Sequence, residues 1–320
     1  MFAVCIESSH KRGMGHFYRA LIILEYLQKV KERAVLVINR DPVSIQILDE
    51  KKILYEIVDY SDVTGNWERD LVCKYQVDVW LLDKFETNVE LARHVKNEKV
   101  ILAAIDDCGE GASLADLHFC TLLFQNIRGK NVYSGKEYMI LNPQIAQYKR
   151  ERSALQKILV TLGGSDTYGV TVKVIRILKE KGYHADIIIG PNFQHRKQLR
   201  QVINDEFTVY DTVPSLIAKF YEYDLAITGG GVTVFEANAS GLPCITIASE
   251  LHEKDIAEYA QQFGGCIFAG YYKNLRKEAF DLSGLDIMTM SVNGMKSFHL
   301  NGMENIYHKI QSYRGEEKHG

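Results

Sequence analysis

Short apolar segments rich in β-branched residues alternate with amphipathic helical segments along almost the whole chain. Residues 2–7 have the composition of a strand, residues 18–31 have the periodicity of a helix, and residues 34–38 again resemble a strand. This order is typical of a βαβ unit. Residues 79–82 and 100–105 are apolar at every position, as expected for parallel strands covered on both faces. The sequence therefore predicts an α/β fold built on parallel sheets.

The chain is long enough for two such folds. Its 320 residues exceed the roughly 100 to 200 residues of a usual single domain. A polar, proline-containing stretch at residues 142–155 precedes a new strand at 157–162, where the alternation restarts. We therefore expect two Rossmann-like domains, residues 1–147 and 148–320. This division places the last predicted helix, residues 297–313, in the second domain.

Composition excludes several classes of protein. With 46% hydrophobic and 25% charged residues, the chain has the balance of an ordinary globular protein. A formal net charge of -3 provides no general attraction to nucleic acid or anionic lipid. The chain turns polar at Glu7 without a basic lead, and it lacks an apolar run of the ~20 residues that a membrane span needs. We expect a cytoplasmic monomer that neither binds nucleic acid nor inserts into membranes.

The six cysteines are scattered along the chain and include no C-x-x-C pair. Most lie in apolar, strand-like segments, so we expect reduced core residues. No cysteine has a nearby histidine or aspartate at the spacing of metal ligands. The sequence therefore predicts neither a metal site nor a cofactor.

Three glycine-rich turns follow predicted strands and open predicted helices, at residues 13–16, 163–166 and 229–233. Free backbone N–H groups at such helix starts favour anionic groups, which predicts phosphate binding at the carboxyl ends of the strands. A single turn of this kind is explained equally well by the need for a tight connection. None of the three matches the dinucleotide fingerprint or a P-loop, which disfavours nicotinamide enzymes and NTPases.

The first turn contains two residues that can take part in chemistry. His16 lies at a predicted helix N-terminus, where the helix dipole favours a neutral imidazole that can act as a general base. Spacing alone allows His16 equally well to cap the helix. Arg19 lies three residues later on the same helix face, where it can meet a phosphate or a carboxylate or remain exposed to solvent.

Carboxylates end several of the predicted strands. Asp83, Asp106 and Asp107 lie where sugar hydroxyls or a water molecule could be held. The alternative is helix capping, which we favour more for Asp107 than for Asp83. Glu236 follows Thr233 by three residues, so it fits either a contact to ribose or a capping box.

The glycine turns and carboxylates belong to a longer series of motifs. Residues 13–19 read G-M-G-H-F-Y-R, which resembles the G-x-G-H-x-x-R opening of the UDP-sugar hydrolases of pseudaminic acid biosynthesis. That family is related to the lipid II N-acetylglucosaminyltransferase. Further motifs of the family follow in its order at Asp83, 105–107, 125–126, 135–143, 162–166 and 230–243. The ordered combination covers most of the chain and is far more specific than any single motif.

The resemblance implies a GT-B-type architecture, with two Rossmann-like domains and a ligand cleft between them. It implies metal-independent hydrolysis of a UDP-activated amino sugar to UDP and free sugar, with UDP held by the second domain. His16 then activates the attacking water, and Glu236 takes the ribose hydroxyls. The expected substrate-binding residues are Gly13, Gly15, Arg19, Asp83, Asp106, Gly163, Gly164, Ser165, Gly230, Gly231, Thr233 and Glu236.

The chain departs from the family pattern in two places. Asp83 is followed by Lys84 and Phe85, whereas the family commonly has His-Tyr there, with the tyrosine approaching the substrate. Residues 250–253 read E-L-H-E where many members have Asn-Gln. These differences concern the identity of the sugar.

Two other functions fit the same fold, because a fold does not determine a reaction. The first alternative is a glycosyltransferase that uses a UDP-sugar donor, and the second is a non-catalytic nucleotide-sugar binding protein. A transferase needs an acceptor site, and apart from Lys11 and Arg12 the first domain has no evident basic or apolar patch for one. Hydrolysis is therefore the prediction.

Overall fold

The computed structural model describes residues 1–9, 14–122, 128–211 and 213–317. The chain divides into two compact units. The first unit comprises Met1–Ile140 together with Asn301–Gly320, and the second comprises Leu141–Leu300. The boundary between the units lies a few residues before the expected boundary at 147/148. The C-terminal segment, which we expected in the second domain, belongs to the first unit.

The first unit contains one parallel sheet with helices on both faces. The described strands are β1 (Phe2–Ile6), β2 (Ala34–Ile38), β3 (Tyr55–Ile57), β4 (Val79–Asp83), β5 (Ile101–Ile105), β6 (Leu117–Cys120) and β7 (Val132–Ser134). The helices before the second unit are α1 (Gly15–Lys29), α2 (Pro42–Lys51), α3 (Trp67–Tyr75) and α4 (Val89–Asn97). The strand order is β3-β2-β1-β4-β5-β6-β7. The order therefore reverses between β1 and β4, which makes their carboxyl ends the switch point where open α/β sheets bind ligands.

The apolar strands predicted from the sequence are buried completely. Every residue of β1, β4 and β5 is buried, because one apolar layer covers each face of the sheet. Helix α1 covers one of these faces, since its buried residues Phe17, Ala20, Ile23 and Leu27 recur at helical spacing. The pairing of β1 with β4 aligns Ile6 with Asp83, so both strands end at the same level.

The second unit repeats this topology. Its described strands are β8 (Ile158–Thr161), β9 (Ala185–Ile188), β10 (Phe207–Tyr210), β11 (Leu225–Gly229), β12 (Cys244–Ala248) and β13 (Cys266–Tyr271). Its helices are α5 (Ile145–Tyr148), α6 (Val170–Glu180), α7 (Arg196–Val202), α8 (Leu216–Phe220), α9 (Thr233–Ala239), α10 (His252–Gln261) and α11 (Ile287–Ser297). The parallel strands are ordered β10-β9-β8-β11-β12-β13, so the switch point lies between β8 and β11. The prediction of two Rossmann-like units is confirmed.

The last helix, α12 (Gly302–Glu317), packs on the first unit. Met303, Ile306 and Ile310 form its apolar face and are buried in the same core as α1. Arg314 adds polar contacts to the same unit, with Glu32 and with Asp78, each at 2.9 Å. The amphipathic pattern predicts a helix in this region, but it does not reveal which of two similar cores the helix covers.

The cysteine prediction is correct for only part of the set. Cys5, Cys120, Cys244 and Cys266 are buried in strands, whereas Cys73 on α3 and Cys108 after β5 are exposed. All six are free thiols. Among the described residues, no helix combines the length and apolar composition needed to cross a membrane.

Arg152 is a completely buried cation that sequence patterns did not indicate. Its guanidinium donates hydrogen bonds to the backbone carbonyls of Arg150 (2.7 Å), Phe220 (2.6 Å), Tyr223 (3.2 Å) and Ser240. Burial and the nearby charge of Arg150 lower the pKa of the Arg152 guanidinium to about 9, so it remains charged at neutral pH. It therefore ties the start of the second unit to the ends of α8 and α9.

We expect Arg152→Met to destabilise the second unit strongly. The substitution removes four hydrogen bonds that a completely buried cation donates, and at about 1 kcal/mol for each the loss is on the order of 4 kcal/mol. Chemical denaturation measures this difference. Arg150→Met is the matched control, because Arg150 makes similar carbonyl contacts from a half-buried position and should cost only about 1 kcal/mol. Equal stability of the two variants would contradict the role given to Arg152.

Candidate functional site

Four charged or titratable side chains from the predicted set meet at the carboxyl edge of the first sheet. His16 is the second residue of α1, and Arg19 lies one turn further along the same helix. Asp83 is the last residue of β4, and Asp106 directly follows β5. Neighbouring parallel strands bring these carboxylates to one edge although they are far apart in sequence.

Asp83 holds both basic residues. Its Oδ1 atom lies 2.7 Å from Nδ1 of His16, and its Oδ2 atom accepts a hydrogen bond of 2.8 Å from Nε of Arg19. Nη2 of Arg19 also donates to Oδ1. Asp83 is completely buried, so its carboxylate has no surface for the sugar hydroxyls expected from the sequence.

Arg19 links Asp83 to the second carboxylate. Its Nη1 atom donates to Oδ2 of Asp106 at 2.7 Å. Asp106 also accepts hydrogen bonds from the amides of Thr121 (2.6 Å) and Leu122 (2.8 Å). Both Arg19 and Asp106 are buried. Of the three alternatives expected for Arg19, the structure shows contact with carboxylates rather than exposure to solvent. This buried contact positions the loop after β5.

The electrostatics of this network keep Asp83 ionised. Burial by itself raises the pKa of the Asp83 carboxyl, but the charges of Arg19 and His16 outweigh burial and lower the pKa to about 2. Burial lowers the pKa of the Arg19 guanidinium, but the two carboxylates outweigh it and raise that pKa above its ordinary value. The ionised Asp83 accepts a hydrogen bond from Nδ1–H of His16, so in the neutral ring the lone pair lies on Nε2.

His16 is therefore not a helix cap. Helix α1 begins after Met14, and among the described residues no side chain caps its first turn. The His16 side chain is 31% exposed, and within the part of the chain that the structure describes Nε2 has no hydrogen-bond partner. The ring thus combines a fixed orientation with an accessible basic nitrogen.

The structure describes only part of the first glycine-rich turn. Gly15 is exposed, and a Cβ atom at this position would meet nothing within 4 Å. Gly13 lies outside the described residues, as do Lys11, Arg12 and the motif at 125–126.

The turn after β8 presents open backbone at the switch point of the second sheet. Gly163 has a φ of +86°, and neither Gly163 nor Gly164 would place a Cβ atom within 4 Å of another group. Both are exposed, and Ser165 is half-buried beside them. Asp166 ends the turn and accepts hydrogen bonds from the amides of Val170 (2.7 Å) and Thr171 (2.8 Å) at the start of α6. Sequence reasoning missed this contact, because Asp166 lies three residues before the N-cap Gly169 and not at the usual capping position.

The turn after β11 contains glycines with different roles. Gly231 is half-buried in open space, whereas a Cβ atom at Gly230 would lie 2.8 Å from the Cβ atom of Glu253. Gly230 is therefore required for close packing against α10. Thr233 begins α9, and among the described residues the helix start has no side-chain cap. The alternative of a capping box between Thr233 and Glu236 is therefore wrong.

Glu236 lies half-buried on the first turn of α9. Burial raises the pKa of its carboxyl to about 7, with the backbone amide of Asn142 acting in the opposite direction. A carboxyl with a pKa near neutrality is a candidate functional group, because structural carboxylates usually have lower values.

Asp107 also has a local structural role. Its Oδ1 atom accepts hydrogen bonds from the amides of Thr87 (2.9 Å) and Gly109 (2.8 Å), so it joins the loops after β4 and β5. The helix cap favoured for Asp107 is therefore wrong, because both amides lie in the loops that precede helical residues and not in a helix. Across the described ranges, no three His, Cys, Asp or Glu side chains are grouped closely enough to hold a metal ion.

Comparisons with known proteins give distant relatives. No protein-family model matches the chain. It is 22% identical over 286 residues to the uncharacterized protein MJ1062 of Methanocaldococcus jannaschii, covering 81% of this chain and 58% of that protein. It is 24% identical over 288 residues to the spore coat polysaccharide biosynthesis protein SpsG of Bacillus subtilis, covering 82% of each chain. The chain thus spans little more than half the length of the archaeal relative.

Several solved structures share the fold over nearly the full length. MurG of Acinetobacter baumannii superposes with a TM-score of 0.71 at 14% identity, covering 97% of this chain and 99% of that chain. HepE of Anabaena, in complex with UDP, gives a TM-score of 0.69 at 13% identity, with 98% and 100% covered. The UDP-GlcNAc 2-epimerase of Neisseria meningitidis, bound to UDP-GlcNAc, gives 0.62 at 13% identity, with 98% and 100% covered. The chain has the GT-B fold that its sequence predicts.

Proposed function

We propose that the protein hydrolyses a UDP-activated amino sugar to UDP and the free sugar, without a metal ion. The observation that carries this proposal is the pairing of His16 with the buried, ionised Asp83 at the carboxyl edge of the first sheet. A histidine oriented by a carboxylate through Nδ1 and accessible at Nε2 is the usual arrangement of a general base. The reaction would belong to nonulosonic (pseudaminic-type) acid or surface polysaccharide biosynthesis, which the name of the Bacillus subtilis relative supports.

In the proposed reaction, the base acts on a water molecule. The water oxygen forms a bond to the anomeric carbon of the sugar while Nε2 of His16 takes the water proton. The bond from the anomeric carbon to the diphosphate oxygen breaks, and its electron pair leaves with UDP. Asp83 stabilises the imidazolium that forms, because it stays ionised and hydrogen-bonded to Nδ1.

The second unit supplies groups suited to the nucleotide. Open space around the backbone of Gly163, Gly164 and Gly231 allows close approach of a diphosphate, and the N-termini of α6 and α9 favour negative charge. Ser165 and Thr233 add hydroxyl donors, and Glu236 is proposed to accept hydrogen bonds from the ribose hydroxyls. Bound UDP in the Anabaena structure with the same fold supports this assignment.

The proposed contact to ribose predicts that UDP affinity rises with pH. The carboxyl of Glu236 has a pKa raised from 4.5 to about 7, and ribose hydroxyls donate to the ionised form, so binding favours loss of the proton. Such a group is only about one-tenth ionised at pH 6, so the dissociation constant should fall roughly tenfold between pH 6 and pH 8. Calorimetry in buffers of different ionisation enthalpy measures the affinity and the released proton. Glu236→Gln is the control, because the phosphate of UDP also titrates but the variant should lose the carboxyl contribution. An identical pH profile in both proteins would exclude Glu236 from the ribose site.

A glycosyltransferase is the second candidate. Tyr18 on α1 and Phe85 after β4 are exposed aromatic side chains on the same unit as His16, and such surfaces can border an apolar acceptor. The base would then remove a proton from an acceptor hydroxyl rather than from water.

One assay separates the candidate functions. Purified protein is incubated with a panel of UDP-sugars in EDTA, and UDP release is measured with and without an acceptor. Release without acceptor supports hydrolysis, and release only with acceptor supports transfer. UDP binding without release under either condition would support a non-catalytic binding protein. Activity lost in EDTA and restored by a divalent ion would contradict the metal-independent mechanism.

A further inference from the structure

Lys84 is an almost buried cation beside the proposed base. It follows Asp83 directly, and the side chain is 5% exposed. Its Nζ atom lies 3.5 Å from the centre of the Tyr60 ring and 3.7 Å from Oε2 of Glu7. Within the described residues Nζ has no hydrogen bond, since 3.7 Å is too long for one.

This environment is unfavourable for an ammonium group. Removing a charge from water costs free energy unless hydrogen bonds replace those to water, and an aromatic ring replaces them only in part. Arg19 and Arg152, two buried cations among the described residues, each donate several N–H groups to oxygen acceptors. The Lys84 ammonium keeps its N–H groups free of a described protein acceptor at this position, so they are available to a ligand.

The position of Lys84 agrees with this reading. Ile6 and Asp83 are aligned in neighbouring strands, so Glu7 and Lys84 are the next residues beyond the carboxyl ends of β1 and β4. These ends form the switch point of the first sheet. The ring of Tyr60 packs against the Lys84 ammonium. This ring is itself fixed in place, because the Tyr60 hydroxyl donates a hydrogen bond to the carbonyl of Ile6 at 2.7 Å. Glu7 is half exposed and leaves one side of the pair open.

We propose that Lys84 and Glu7 recognise the sugar of the substrate. The ammonium donates to an acceptor oxygen, and the carboxylate accepts from a hydroxyl or N–H group on the neighbouring ring carbon. Oxygen atoms on adjacent ring carbons are separated by about one hydrogen-bond length, which matches one donor and one acceptor placed side by side. The ligand class is thus a hexose with adjacent hydroxyl groups, or with a hydroxyl beside an acylamino group. This inference rests on the proposed function, and it assigns to this site the choice of sugar rather than the chemistry.

A purely structural role for Lys84 makes a different prediction. If the lysine mainly supports the loop through Tyr60 and Glu7, Lys84→Met lowers the melting temperature. If the lysine is retained for a ligand, methionine fits the apolar surroundings, and the variant is at least as stable as the parent. Lys309→Met is the matched control, because Lys309 also lies over a tyrosine ring of the first unit, at 4.9 Å from the Tyr133 centre, but on the exposed side of α12.

The decisive experiment compares UDP with UDP-GlcNAc and UDP-glucose by calorimetry in the His16→Asn background, where turnover does not interfere. We expect Lys84→Met and Glu7→Gln to leave UDP affinity within twofold and to weaken at least one UDP-sugar about 10- to 100-fold. With His16 intact, the same variants should raise KM and leave kcat nearly unchanged, because the lost contact is present in both ground state and transition state.

The outcomes distinguish failure of the proposed function from failure of the role given to Lys84 and Glu7. No UDP binding by any of the proteins refutes the proposed function itself. Normal UDP binding with UDP-sugar affinity unchanged by Lys84→Met and Glu7→Gln overturns the role of the pair. A melting temperature lowered by Lys84→Met but not by Lys309→Met, with parallel losses for UDP and UDP-sugars, also overturns it, because this pattern marks a structural residue.

Discussion

Replacing His16 by asparagine should nearly abolish turnover of UDP-sugar while UDP affinity stays within about twofold of the parent. Loss of a positioned general base typically lowers the rate ~100- to 10,000-fold. Asparagine can still donate a hydrogen bond to Asp83, so the buried network with Arg19 is retained. Steady-state kcat and calorimetry with UDP measure the two effects separately.

His94 provides a matched control for this variant. It pairs through Nδ1 with Glu68 at 3.3 Å and is exposed to a similar degree, but it lies on α4 of the first unit. His94→Asn removes a comparable histidine–carboxylate contact and should leave kcat unchanged. A His16→Asn protein that is less stable yet hydrolyses UDP-sugar at the parent rate would reduce His16 to a structural residue.

Much of this fold can be predicted because the strands are apolar at every position. Such runs as β1, β4 and β5 fit only the interior of a sheet covered on both faces. Their carboxyl ends then locate Asp83 and Asp106 at one edge without knowledge of the tertiary structure. Local sequence thus predicts the edge on which the candidate site lies.

The partners within the site could not be predicted in the same way. Arg19 and Asp83 are separated by 64 residues, and helical spacing alone does not show that the guanidinium turns inward to two carboxylates. Gly230 illustrates the same limit, because its requirement for glycine comes from Glu253 on another element. Helix α12 is a third case, since an amphipathic pattern predicts a buried face but not the core that covers it.

Asp83→Asn should lower kcat by about 1,000- to 10,000-fold although the residue makes no contact with solvent. The ionised carboxylate fixes the proton of His16 on Nδ1 and leaves Nε2 as the acceptor. An asparagine amide can donate to Nδ1 instead, which moves the ring proton to Nε2 and removes its basic lone pair. The measurement is kcat with the UDP affinity as reference, and UDP affinity should not change, because the nucleotide is assigned to the second unit.

The effect of Asp83→Asn on the free energy of unfolding must be measured separately from its effect on kcat. The pKa of Asp83 is lowered from 3.8 to about 2, so its ionised form contributes about 2 kcal/mol of stability above pH 4, and this is lost as the pH falls through 2. Asp83→Asn should therefore unfold more easily at pH 7 and show a weaker fall in stability between pH 4 and pH 2. The expected fall in kcat cannot come from partial unfolding, because a variant that remains folded at the assay temperature keeps its full concentration of active sites. If Asp83→Asn shows the altered acid profile but keeps the parent kcat, Asp83 stabilises Arg19 only, and the tautomer of His16 is set by another group.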